Sequence, residues 1–530
     1  MTVLIKEKIE QGKTCLGIEL GSTRIKACLI DDTFKVVASG SYEWENKIEN
    51  GYWTYSLEDI HNGIKGCYAG LAEDVMKKYS VSLTVIGAIG ISGMMHGFMP
   101  FDKNNCLLTP FRTWRNTNTR QASSELTSLF NFNIPQRWSI AHLYQAILNG
   151  ESYVSDISYM TTLAGYIHFR LTGALEVGVG EASGMFPVEN KEYNPEMLSK
   201  FNDILSDKGI GIDIKNILPK IRLAGANGAR LTEAGAKFLD PSGNLKAGIP
   251  ICPPEGDAGT GMVATNSVLP KTGNISAGTS IFSMLVLERP LENVYPEIDI
   301  LTTPDASPVA MVHCNNCCSE LDVWVKIFGE FAELAGTALD KAQIYEMLYR
   351  HTASSDADCA CITAYNYLSG EPVTGVENGH PMYFRTPASK MNLANFMKSQ
   401  LYSSVSALSI GMDLLLNKEK AEAFRFLAHG GLFKVKGVAQ QILADSLNTP
   451  ISVFETASEG GAWGMALLAA YMIKKQNDTL GEWLQNSVFK SMSVYTLSPE
   501  PDSVKIFSEY IKQYKAGLPA ENKLEELPLC

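Results

Sequence analysis

Asp257 is the first residue whose setting suggests chemistry. It lies in Glu255-Gly256-Asp257-Ala258-Gly259-Thr260-Gly261, after an apolar run, Ile249 to Cys252, and two prolines. A carboxylate flanked by small residues lets a substrate come close. It can then take the proton of a hydroxyl that attacks phosphorus. An Asp-Gly turn or a helix N-cap would have the same composition. A second stretch, Glu19-Leu20-Gly21-Ser22-Thr23-Arg24-Ile25-Lys26, offers small residues, two hydroxyls, an acid and bases. Backbone N–H groups and hydroxyls suit phosphate oxygens, and a carboxylate suits the accompanying magnesium. A plain hairpin turn is the competing reading.

Other stretches are weaker alone. Gly93-Met94-Met95-His96-Gly97 ends an apolar strand, where α/β proteins place ligands. A loop histidine capping a turn fits equally. Trp114-Arg115-Asn116 sets an aromatic beside a forked donor and an amide, a surface that suits sugar hydroxyls. Gly278-Thr279-Ser280 repeats the small-residue turn of Gly21-Ser22-Thr23. His429-Gly430-Gly431, with Gln440 and Asp445 beyond, and Glu459-Gly460-Gly461 are glycine-rich strand-to-helix turns that let backbone approach a base and ribose. Close helix packing also explains such glycines. Gly12-Lys13-Thr14 mimics the end of a Walker loop, but the required earlier glycine is Glu7. Cys314, Cys317 and Cys318 lack a second pair at zinc spacing and read as buried thiols.

The elements that must carry these residues follow from pattern. Leu16–Leu20 and Ile25–Ile30 predict a hairpin, and so do Asn274–Ala277 and Ile281–Leu287. The two lie roughly half a chain apart, which suggests a duplicated domain. A third strand leads to a helix starting at Ser56, and 85–92 reads as a strand. Helices are expected over 121–130, 141–148, 321–334, 340–349, 393–416 and 458–472. The tail from Lys474 reads as a helical cover on the second domain with a frayed end.

Composition bounds the function. The chain has 530 residues, 45 basic against 57 acidic, and a formal charge of −12. That balance argues against nucleic acid as a partner. The N-terminus carries early charges and no apolar core, and no apolar run reaches ~20 residues, so neither a signal peptide nor a membrane span is expected. With eleven cysteines, reduced thiols and a cytoplasmic location are the expectation.

Taken in order, these segments resemble the FGGY carbohydrate kinases of the actin-like ATPase superfamily, over about Cys15 to Tyr471. Glu19–Lys26 is similar to the first phosphate motif and Ala277–Ser280 to the second. Ser92–Gly97 is similar to the SGQMHG sugar motif, Trp114–Asn116 to a Trp-x-Asp substrate segment, and Gly256-Asp257 to the catalytic Gly-Asp. Tyr365–Glu371 is similar to the PYLSGER segment, Gly430–Asp445 to the adenosine segment, and Gly461–Ala466 to the closing helix. The resemblance implies an α/β fold of two RNase H-like domains, 1–260 for sugar and 261–530 for ATP, with a catalytic cleft between them. Asp257 would be the general base. Met95, His96, Arg115 and Asn116 would line the sugar. Gly21, Ser22, Thr23, Lys26, Gly278, Thr279, Ser280, Gly430, Gly431 and Gln440 would bind ATP, and Glu19 with Asp257 would sit at Mg2+. Three positions depart from the family pattern: Glu19 for Asp, Met94 for Gln and Asn116 for Asp. The variant first motif leans the substrate toward L-ribulose, with D-xylulose or another sugar of the family as alternatives. An actin-like ATPase without sugar is the alternative from a different class, and a catalytically inert sugar sensor is a third. A homodimer is the generic expectation for such an enzyme.

Overall fold

The computed structural model describes residues 2–454 and 460–524. The chain divides into two compact units, Met1–Leu269 with Ile300–Val309 and Ala457–Met492, and Pro270–Asp299 with Ala310–Thr456 and Ser493–Cys530.

The first unit is built on β1 (Cys15–Leu20), β2 (Arg24–Ile30), β3 (Val36–Glu43), helix α1 (Leu57–Tyr79), β4 (Ala88–Gly93), the short helix α2 (Val179–Ser183), β5 (Glu255–Gly256) and α3 (Asp257–Ala264). Its sheet runs β5-β4-β1-β2-β3. β1 and β2 form the expected hairpin, with Glu19 opposite Lys26. β4 lies parallel to β1, and β5 parallel to β4. α1 turns Ile60, Ile64, Cys67, Tyr68, Leu71 and Val75 into the core, a helical 3–4 spacing. Ser56 caps it by accepting the Asp59 amide at 3.0 Å, a bond worth ~1 kcal/mol.

The second unit repeats this plan. Its sheet and helices are β6 (Thr272–Ala277), β7 (Ile281–Val286), β8 (Ile298–Thr302) and β9 (Pro308–Cys314), whose segment Ile300–Val309 clusters with the first unit, then α4 (Ser319–Leu334), α5 (Lys341–His351), α6 (Leu393–Asp413), β10 (Arg425–His429), α7 (Val438–Leu447) and β11 (Ile451–Phe454). The chain then returns to the first unit as α8 (Gly461–Lys474), and afterwards adds β12 (Val494–Leu497) and α9 (Pro501–Leu524) to the second. The sheet order is β8-β9-β7-β6-β10-β11-β12. Hairpin β6–β7 matches β1–β2, and β10 lies parallel to β6 as β4 does to β1. The duplicated hairpin expected from sequence is therefore a duplicated sheet.

Three expectations change. The stretch after β3 holds a separate small hairpin, Lys47–Glu49 with Tyr52–Thr54. Its turn is Asn50-Gly51, both with positive φ, the usual two-residue hairpin turn. The strand expected from residue 85 begins at Ala88. The tail is divided: the stretch up to Met492 belongs to the first unit, and only the part from Ser493 belongs to the second. Ser458 and Glu459 of the expected helix, and the expected frayed end after Leu524, lie outside the described residues. Among the described residues no helix is long and apolar enough to cross a membrane.

Candidate active site

Parallel pairing fixes the first unit's site. Glu19, Ser92 and Glu255 stand in one row across β1, β4 and β5, and Leu20, Gly93 and Gly256 in the next. The residues that follow, Gly21 to Thr23, Met94 to Gly97 and Asp257, therefore emerge at one carboxyl edge. α/β sheets bind ligands at such an edge.

Asp257 is the first residue of α3, with Gly256 at the N-cap. Its Oδ1 accepts the Met95 amide at 3.1 Å and the Ala258 amide at 2.9 Å. Burial pushes its carboxyl up to about 6, against the pull of those amides. Glu19 rises to about 7, first by burial and then by repulsion from Asp257; Lys26 and the Ala462 amide oppose the shift. Gly461 makes this approach possible, since a Cβ there would lie 2.8 Å from Glu19 Cδ and 3.0 Å from Thr260 Oγ1.

Of the expected sugar residues, Met95 and His96 are buried beside this edge. His96 has φ +70°, its Nδ1 lies 3.2 Å from the Gly184 carbonyl, and its ring stacks on Trp138. Arg115 is exposed, with its guanidinium 4.4 Å from the Trp53 ring centroid. Asn116 is buried, and its amide is spent on backbone. Its Oδ1 accepts the Trp53 amide at 2.8 Å, and its Nδ2 donates to the carbonyls of Trp53 at 2.9 Å and Thr113 at 3.0 Å. It fastens the Trp114-Arg115 loop to the small hairpin rather than presenting a free amide.

The turn Gly21-Ser22-Thr23 joins β1 to β2, with Thr23 and Lys26 exposed. Trp114 Nε1 donates to Ser22 Oγ at 3.0 Å, which ties the expected sugar segment to the expected phosphate turn.

In the second unit, Gly278-Thr279-Ser280 joins β6 to β7. Gly430 follows β10 with φ +113°. A Cβ there would lie 2.7 Å from the Ala277 carbonyl carbon, so glycine is required for this approach. Gly430 and Gly431 are exposed. Gln440 is not: its Nε2 donates at 2.9 Å to the carbonyls of both Ile451 and Tyr495, bracing β11 and β12. A cavity of about 570 Å3 runs along α4 and α5, lined by Asp322, Val323, Val325, Lys326, Lys341 and Ile344. Against the effect of burial, hydrogen bonds from Lys341 and Tyr345, with a smaller pull from Lys434 after Gly431, hold the Asp322 carboxyl below its usual range.

Sequence reasoning passed over two groups. Glu255, two residues before Asp257, accepts the Glu181 amide at 3.0 Å from inside the core. Its carboxyl is pushed up to about 8 by burial, and that of Glu181 is pushed well up by burial and by its acidic neighbours. The cue was the Glu-Gly-Asp spacing, which brings a second acid to the row of Glu19. Trp44 and Tyr55, stacked at 4.1 Å, back the first turn, and nothing in their local sequence marked them.

Comparison with known proteins follows this geometry. The N-terminal domain of the FGGY family of carbohydrate kinases matches residues 14–264, and the C-terminal domain of that family matches 273–473. A xylulose kinase from Haemophilus influenzae is 21% identical over 474 residues, 84% of this chain and 89% of its own length. Among solved structures, a xylulose kinase from Lactobacillus acidophilus superposes with TM-score 0.78 at 17% identity, over 96% of this chain and 99% of that one. A glycerol kinase from Plasmodium falciparum, solved with ADP, gives 0.76 at 15%, over 97% and 99%. Substrates as different as a ketopentose and glycerol share this fold, so the fold itself does not choose the sugar. The duplicated sheet and the two family domains, which together take in most of the sequence, make this chain a member of the FGGY family of carbohydrate kinases.

Proposed function

We propose that the chain transfers the terminal phosphoryl group of ATP to the terminal hydroxyl of a ketopentose. The observation that supports this best is Asp257, a carboxylate held by two amides at the carboxyl edge of three parallel strands. With Oδ1 occupied, Oδ2 is left to take the sugar hydroxyl's proton. A carboxyl titrating at about 6 is mostly ionised at pH 7 and a stronger base than an ordinary aspartate, which suits it to that role. Met95 and His96 line the sugar beside it, with Arg115 at the rim.

The residues present fit ATP and Mg2+. Glu19 and Asp257 repel one another, and a cation relieves such repulsion. Among the described residues no three acidic, His or Cys side chains form a metal cage, and a Mg2+ held by one or two carboxylates and by phosphate oxygens does not need one. When bound, the ion supplies charge neutralisation on the phosphates. Gly21, Ser22, Thr23 and Lys26 of the first unit offer donors to phosphate oxygens, and the matching turn Gly278-Thr279-Ser280 of the second unit offers donors of the same kind. The cavity along α4 and α5 receives the adenosine, with apolar Val323, Val325 and Ile344 for the base and Gly430-Gly431 for close backbone approach.

D-xylulose is the first sugar to test, because the Haemophilus influenzae relative that matches most of this chain is a xylulose kinase. L-ribulose stands beside it because the first phosphate motif, with Glu19 in place of Asp, departs from the usual family pattern. A coupled ADP-release assay over ketopentoses, deoxyketohexoses, glycerol and gluconate tests the reading. It expects turnover stimulated at least tenfold by a ketopentose, and no stimulation by any sugar would overturn it.

A further inference from the structure

The two candidate phosphate turns share an unusual hydrogen-bond pattern. In the first turn, the Gly21 carbonyl accepts Trp44 Nε1 at 2.7 Å, the Ser22 carbonyl accepts the Tyr55 hydroxyl, and the Thr23 carbonyl accepts the Trp44 amide at 3.3 Å. Ser22 Oγ accepts Trp114 Nε1. Asn46 Nδ2 donates to the Tyr55 oxygen at 3.0 Å, which leaves the phenol proton for Ser22. In the second turn, the Gly278 carbonyl accepts the Cys318 amide at 3.0 Å, Thr279 accepts that of Cys317 at 2.9 Å, and Ser280 accepts that of Gly278 at 2.8 Å. Every carbonyl of both turns is filled. The amides of Ser22, Thr23 and Thr279, by contrast, have no hydrogen-bond partner among the described residues.

The same outcome is reached with different donors. The first turn's carbonyls are filled by one indole, a phenol and one amide, with a second indole on the Ser22 hydroxyl, and the second turn's by backbone amides alone. An accident of packing at one turn would not recur in the other by other means. The physical effect is specific. A turn's peptide planes can flip, exchanging an outward N–H for an outward C=O. An anion is attracted by the first and repelled by the second. Donors bonded to each carbonyl oppose the flip and leave N–H and O–H groups as the turn's unfilled polar groups.

We propose that Trp44, Tyr55 and Trp114 are positioning residues that lock the Gly21–Thr23 turn as a donor-only face for nucleotide phosphates. The Cys317 and Cys318 amides do the same for Gly278–Ser280. This rests on the reading that the turns hold phosphates. It also gives the cysteine cluster, which makes no metal site by spacing, a structural role through its backbone.

The test compares Tyr55→Phe and Trp114→Phe with Tyr79→Phe, which removes a tyrosine-to-carbonyl bond elsewhere in the same unit (Tyr79 to Val37, 2.9 Å). Dissociation constants for Mg-ATP, AMP and sugar are measured by calorimetry, with melting temperatures as a check on folding. Tyr55→Phe and Trp114→Phe should each weaken ATP about 5- to 10-fold, the usual effect of one lost hydrogen bond, with AMP within twofold. Tyr79→Phe should leave ATP unchanged. ATP affinity within twofold in both turn variants, or equal weakening of ATP and AMP, overturns the proposal. Thr23→Glu separates it from the reading beneath. If Thr23→Glu leaves ATP binding intact, the phosphate turn itself is misassigned. If Thr23→Glu abolishes ATP binding while both turn variants keep it, only the locking role fails.

Discussion

The Met95 amide donates to Asp257 Oδ1 at 3.1 Å, and this bond joins the expected sugar wall to the expected base across 162 residues of sequence. It exists because β4 and β5 run parallel in register, Gly93 beside Gly256. Each strand then delivers its next residues to the same edge. Asp257 is fixed by backbone amides, not by a mobile side chain, so its carboxylate is held in one orientation. Fixed geometry of this kind is the main thing a phosphoryl transfer asks of a protein.

Replacing Asp257, the proposed base, should separate catalysis from binding and from stability. Asp257→Asn should cut turnover by ~10²-fold or more with sugar affinity within a few-fold. Raising a carboxyl from 3.8 to about 6 corresponds to ~3 kcal/mol against the charged form. The neutral amide escapes most of that cost, so Asp257→Asn should melt higher than wild type at pH 7. Near-normal turnover in that variant would assign the base to another residue.

The pH dependence follows with a definite sign. Below about 4 Asp257 is protonated in both folded and unfolded chains, so wild type and Asp257→Asn should be equally stable there. As pH rises to about 6 the unfolded carboxyl ionises first, and wild type loses stability relative to the variant. Activity runs the opposite way, since kcat/KM should fall as pH drops through about 6. Denaturant titrations at pH 4, 5 and 7 with parallel rate measurements check both trends.

Glu255 makes a comparable prediction at higher pH. Its carboxyl, raised from 4.5 to about 8, is mostly protonated at pH 7 in the folded chain. Stability it contributes below 4.5 is lost as pH climbs toward 8. Glu255→Gln keeps the shape and removes the titration. Unfolding measured at pH 5 and pH 8 should show the wild type losing more stability than Glu255→Gln, by a few kcal/mol at most.

Glu19 should report on the cation. Glu19→Gln retains the side-chain length but removes the charge. The Mg2+ concentration for half-maximal turnover should rise about tenfold, with the sugar KM nearly unchanged. An unaltered Mg2+ requirement would remove Glu19 from the ion's surroundings.

Much of the fold was readable in the sequence. The two Gly-Ser/Thr turns sit on real hairpins because apolar runs flank small residues at strand spacing, and that local grammar survives folding. Asp257 stood out because small residues surround it, and it lies where β5 ends beside β4. Asn116 and Gln440 were not, since sequence supplies an amide's presence but not what consumes it. Both amides are spent on backbone carbonyls at 2.9–3.0 Å. Trp44 and Tyr55 were hidden for a related reason: their partners are turn carbonyls about twenty to thirty residues away, and no residue type announces a carbonyl. The return of α8 to the first unit was equally silent, because it depends on Gly461 meeting Glu19 at the far end of the chain.

The most direct measurement of sugar phosphorylation is 31P NMR of the products formed from Mg-ATP with D-xylulose or L-ribulose. A ketopentose kinase should yield ADP and, in equal amount, a phosphomonoester whose phosphorus couples to the protons of a terminal CH2. ADP with inorganic phosphate and no sugar ester would contradict it, and would make the protein an ATPase of the same fold.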